Sequence, residues 1–120
     1  MKSKNVDNPE LLYIAVIVYE SSSDAPNYQH LYQESFVLIK ATSLELAKKK
    51  AANYAKKEEV SYKNEDGETI TWSLKQVVDV NSVLYDDFDT FSDGIDLYTR
   101  HFRNYDAYHL FEPVLSPEEL

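Results

Sequence analysis

The chain contains no cysteine. Disulfides, thiolate metal sites and cysteine nucleophiles are therefore excluded. Glycine is almost as scarce, with Gly67 and Gly94 the only two in 120 residues. Glycine-rich phosphate loops and the Gly-x-Ser-x-Gly elbow of serine hydrolases both need more than that. Basic residues are the minority, 12 against 21 acidic, for a formal charge of −9. A nucleic-acid surface needs clustered positive charge, so nucleic acid is not an expected partner. The apolar run Leu11–Tyr19 is nine residues long, less than half of a membrane span. Glu20 and three serines follow it where a secretory signal would place a small-residue cleavage site. The cytoplasm is the expected location, with no membrane contact.

What is present suffices for one ordinary globule. The chain weighs 13.9 kDa and is 43% hydrophobic, which matches a single domain with its own core. The expected organisation is a flexible N-terminal segment 1–10, one α+β domain 11–103, and an aromatic, then acidic, tail 104–120. Leu11–Glu20 is rich in β-branched and aromatic residues on both parities, as in a central strand. Ser21–Gln29 carries turn chemistry. A second strand, about His30–Ala41, makes an antiparallel hairpin with the first. Thr42 and Ser43 are candidate N-caps, and Thr42 with Glu45 makes a capping box. Leu44, Ala47, Ala51, Tyr54 and Ala55 then recur at helical spacing to about Glu58 or Glu59. Small side chains on that stripe let the helix axis approach a sheet closely. After the Glu65–Glu68 turn, Thr69–Val80 reads as a third strand, with Ile70, Trp72, Leu74, Val78 and Val80 inward. Ile95–Phe102 reads as the fourth, anchored by Leu97, Tyr98 and Phe102. The expected fold is a four-stranded antiparallel sheet with one main helix on one face, in the order β-β-α-β-β. One helix leaves the second sheet face in need of a cover, either the tail or another copy of the chain.

Several segments carry a family resemblance. They are Tyr13-Ile14-Ala15-Val16 in the first strand, the Ala41 end of the second strand before a Ser/Glu/Ala helix, and Tyr62-Lys63-Asn64-Glu65-Asp66-Gly67-Glu68 leading to Trp72. Val77–Val80 and Asp93-Gly94 with Tyr98 complete the set. On these, Tyr13 to Phe102 resembles the small bacterial proteins grouped as domain of unknown function 4288. The resemblance implies a bacterial intracellular protein and brings no activity and no functional residues.

The residues themselves offer few constellations for chemistry. Asp86, Asp87, Asp89 and Asp93 form an acidic segment, but counting a calcium loop from Asp89 puts Phe91 third and Arg100 twelfth, where oxygen ligands are required. His30, His101 and His109 lack metal-ligand spacing. No metal and no cofactor are expected. Ser21–Ser23 sit in a loop without the surroundings of a nucleophile. Tyr62, Asn64, Glu68 and Trp72 are the most motif-like set, readable as a recognition surface or as turn and core residues. Ten tyrosines point toward binding, since tyrosine combines apolar area with a hydrogen bond. Tyr105, Tyr108 and Phe111 in the tail belong to the same candidate surface.

Charge is unevenly spread. Lys40–Lys63 holds seven lysines against three glutamates, whereas from Asn64 onward thirteen acids face three basic residues. Such asymmetry suits self-association. The expected role is a small non-catalytic protein-interaction module, homodimeric. The alternative is an acidic inhibitor or immunity-type protein that blocks a basic partner such as a nuclease through Asp86, Asp87, Asp89 and Asp93.

Overall fold

The computed structural model describes residues 9–84, 93–112 and 114–119. Four strands and a main helix follow the order β1 Leu11–Ser23, β2 Tyr32–Ala41, α1 Leu44–Lys57, β3 Val60–Lys63 and β4 Thr69–Ser82. A short helix, α2, spans Tyr105–Phe111, and a single 3₁₀ turn spans Pro117–Glu119. The sheet is antiparallel throughout, with spatial order β2-β1-β4-β3. The expected α+β class and β-β-α-β-β order are therefore present.

β1 is central, as its two apolar parities require. Its odd residues Tyr13, Ala15, Ile17 and Tyr19 form the core with Ile39, Ala41 and Val80, under Ala47, Ala51 and Ala55 of α1. The three alanines, spaced four apart on one stripe, are fully buried. Leu44 packs at the margin of this core, and Tyr54 is partly exposed at its edge. Ser43, in extended conformation, caps the helix by accepting the Leu46 amide hydrogen at 3.1 Å. Ser43 is thus the cap of the two hydroxyls expected, and the Thr42–Glu45 capping box does not form, because Thr42 still belongs to the bend leaving β2 and the third residue after Ser43 is Leu46. Glu58 closes the helix, its amide donating to the Tyr54 and Ala55 carbonyls.

The fourth strand is not where the sequence pattern placed it. Ile95–Phe102 has no strand structure, and Val60–Lys63 pairs with β4 instead. A tight hairpin closes a far shorter loop than a strand returning from residue 95 would, so local pairing is entropically favoured. Asn64 makes that hairpin compact. Its side-chain oxygen accepts the amide hydrogens of Asp66 and Glu68, each at 3.0 Å, and Gly67 takes φ of 78°, a conformation that costs glycine nothing.

β4 is also not a simple alternation. Its register against β1 shifts twice, between Val16 and Ile17 and between Val18 and Tyr19. Lys75 and Val78 are the extra residues. Each bulge reverses the parity that follows it. Val77 therefore packs on the helix-side core, and Val78, expected inside, is exposed.

The β1–β2 connection is pinned by Ser21, which is fully buried. Its hydroxyl receives the Leu31 amide hydrogen at 2.8 Å and the Tyr28 hydroxyl at 2.6 Å. His30 Nδ1 lies 2.7 Å from the Ser21 carbonyl and 3.1 Å from Glu20. Serine, histidine and glutamate thus gather, but the imidazole meets the serine's backbone oxygen. The hydroxyl is occupied in holding the loop.

Candidate functional site

The second face of the sheet presents the even residues of β1 and their neighbours. Ile14 lies opposite Leu38 and Asn81, and Val16 lies opposite Phe36 and Asp79. Ile14 and Val16 are buried although no helix among the described residues packs on them. The stretch before α2 is tied to this face by two hydrogen bonds. The Leu84 amide donates to the Leu97 carbonyl at 3.1 Å, and the Tyr98 hydroxyl donates to the Asp79 carboxylate. Tyr98 is thereby held over the sheet beside Val16. Burial, with the hydrogen bond to Asp79 and its charge, pushes the Tyr98 phenol up to about 12. The segment read as a strand from sequence is the cover of this face.

The cover is incomplete. Phe36 is 64% exposed and Leu38 52%. Between β2 and the C-terminal segment runs a cleft of about 840 Å³, lined by Phe36, Phe102, Tyr108 and Phe111, with Glu34 and Glu112 beside Arg100 and Arg103. α2 projects Tyr108 and Phe111 here. Asn104 caps it by accepting the Ala107 amide hydrogen at 3.0 Å. Phe102 stacks on Tyr108 with centroids 4.6 Å apart, and Tyr105 lies 6.4 Å from Tyr108. None of the residues of α2 is buried, and Leu110 is 90% exposed. Both charge signs and a continuous aromatic surface meet in one place, while no three His, Asp or Glu side chains gather as a metal site among the described residues.

The candidate residues named from sequence fall in three places. Tyr105, Tyr108 and Phe111 share α2, the latter two lining the cleft. Asn64 and Glu68 lie in the β3–β4 turn, where the Asn64 amide donates to the Glu68 carboxylate at 3.0 Å. Tyr62 is exposed on β3 opposite Ile70, and Trp72, on β4 opposite Val60, lies beside Tyr54 on the helix side. Asp86, Asp87 and Asp89 lie outside the described residues, and Asp93 is exposed at the start of the next described segment. Sequence reasoning did not identify Phe36, Phe102, Arg100, Arg103 or Glu34 as neighbours, because the cleft joins β2 to a segment more than sixty residues later. The one local signal was Asn104 before Asp106, an N-cap pattern for α2.

No helix among the described residues is long and apolar enough to cross a membrane. A search of curated proteins and a search of solved structures each returned no match. The family model described as Domain of unknown function (DUF4288) matches residues 12–99, which takes in the sheet from Leu12 onward, α1 and Tyr98 and ends before α2. By that match over nearly three-quarters of its length, the chain belongs to the DUF4288 family.

Proposed function

We propose that this chain is a small non-catalytic protein-interaction module that works as a homodimer in the bacterial cytoplasm, joined through the cleft between β2 and α2. The observation that carries the reading is the exposed aromatic surface of Phe36, Phe102, Tyr108 and Phe111. A soluble chain does not usually leave such a patch in water, and aromatic residues supply most of the binding energy at protein interfaces. Glu34 and Glu112 flank the same patch as Arg100 and Arg103. A surface with both signs can complement itself across a two-fold axis, where each copy offers the same residues to the other.

Sedimentation velocity at several concentrations tests this. The full chain is expected to be dimeric at high micromolar concentration, and Phe36→Glu or Phe111→Glu to be monomeric. Both side chains are more than half exposed, so neither substitution should disturb the isolated fold. A wild-type chain that stays monomeric throughout that range overturns the reading.

A further inference from the structure

A second concavity lies on the opposite side of the sheet, at the C-terminal end of α1. Tyr19 of β1 forms its floor, with Gln33 and Ser35 of β2 on one side and Trp72 of β4 on the other. Tyr54 and Glu58 of α1 close it from above. Tyr19 faces Gln33 directly in the strand register. Its volume is about 180 Å³, the space of roughly six waters in the liquid. That admits one side-chain-sized group and not a whole nucleotide or cofactor.

Two independent observations say what that group is. Tyr19 is only 5% exposed, yet its hydroxyl has no hydrogen-bond partner among the described residues. Buried hydroxyls are nearly always paired, and an unpaired one is a standing cost. The second observation is the field. Glu58 is the only charged residue lining the cavity among the described residues. The end of α1 adds the negative pole of the helix dipole. Burial first, then Tyr54, Glu58 and Glu59, raise the Tyr19 phenol above its ordinary range, as a negative environment should. Lys56 and Lys57 stand in the same helical turn but do not line the cavity. Glu59 does not line the cavity and accepts the Leu74 amide hydrogen at 2.8 Å.

We infer that this cavity binds a guanidinium group. A guanidinium is planar, weakly hydrated and rich in N–H donors, and it stacks on aromatic faces. Here Glu58 would neutralise the charge, the rings of Tyr54 and Trp72 would flank the plane, and a shift of the exposed Tyr54 ring would let an N–H group reach the Tyr19 hydroxyl, which is closed off from solvent without a ligand. A carboxylate or phosphate would meet Glu58 with the wrong sign. A purely apolar group would leave the Tyr19 hydroxyl as it is.

Trp72 is the sole tryptophan, so its fluorescence reports on the cavity without a label. Methylguanidine should change the emission saturably. Methylurea, a planar uncharged analogue, should bind at least about fivefold more weakly, because it forfeits the cation–π and carboxylate attraction. Glu58→Gln and Tyr54→Leu, both at exposed positions, should each weaken methylguanidine by a similar factor. Tyr19→Phe should leave the melting temperature unchanged or raised, since it removes an unpaired hydroxyl, while still weakening methylguanidine. The peptide Gly-Gly-Arg-Gly-Gly separates two sources of the group. Tighter binding than methylguanidine identifies an arginine on a protein, and weaker binding a free guanidine, the site standing in both cases. Equal affinity for methylurea and methylguanidine overturns the inference, as does wild-type affinity in Tyr19→Phe.

Discussion

On one face of the sheet α1 sets three fully buried alanines against Tyr13, Ile17 and Tyr19. On the other, a stretch without regular structure crosses near Tyr98 and leaves Phe36 and Leu38 largely in water. Both faces are built from the same central strand, whose even and odd residues are equally apolar. The difference lies in what the rest of the chain supplies. A helix buries a whole stripe and satisfies its own backbone. An irregular segment covers a few side chains and must find hydrogen bonds one at a time, as Leu97 does with Leu84 and Tyr98 with Asp79. The first face therefore reads as the structural core and the second as a surface finished by something else.

The contrast can be broken by placing one charge on each face. Ala51→Glu puts a carboxylate into a seam with no space and no partner. It should cost about 3–5 kcal/mol, read from urea unfolding. Leu38→Glu on the second face, already half in water, should change the stability of the isolated chain by less than about 1 kcal/mol. Equal costs at the two positions would mean that the second face is as closed as the first.

A smaller effect sharpens the role of Tyr98. Its phenol is raised to about 12 in the folded chain, against about 10 when unfolded. Between those values the unfolded chain has released the proton and the folded chain has kept it. The stabilisation is therefore complete below pH 10 and is lost as pH rises through about 12. Tyr98→Phe should flatten that part of the stability profile. Tyr98→Ala, which also uncovers Ile14 and Val16, should cost about 1–3 kcal/mol at neutral pH.

Much of the helix-side core was legible from sequence because its signals are local. The four-residue spacing of Ala47, Ala51 and Ala55 and the hydroxyls before Leu44 needed no knowledge of the rest of the chain. β1 announced its central position by being apolar on both parities. The second face was not legible, because its cover depends on contacts between residues far apart. Leu97 and Tyr98 have strand-like composition, yet β4 already had a nearer partner in Val60–Lys63. The cleft beside α2 shares that difficulty, since nothing near Phe36 indicates that Phe102 and Phe111 will face it. The Tyr19 cavity was hidden for another reason. Tyr54 and Trp72 were read as core filling, and only the structure shows a buried hydroxyl between them without a partner.

The smallest predicted effect concerns the boundary between the two faces along β4. Plain alternation from Ile70, Trp72 and Leu74 would place Val78 inside and Val77 outside. The bulges at Lys75 and Val78 invert this, setting Val77 opposite Ile17 and leaving Val78 out of register. Val77 touches the helix-side core, and Val78 is 42% exposed. Valine to threonine is nearly isosteric and replaces a methyl with a hydroxyl, so the cost depends on whether that hydroxyl reaches water. Val77→Thr should destabilise by about 1 kcal/mol, whereas Val78→Thr should stay within about 0.5 kcal/mol of wild type. Chemical denaturation of the two variants side by side reads the register directly. The reverse order would mean that β4 runs without its bulges; Asp79 keeps its face in either case, because the two inversions cancel beyond Val78, so its contact with Tyr98 does not depend on them.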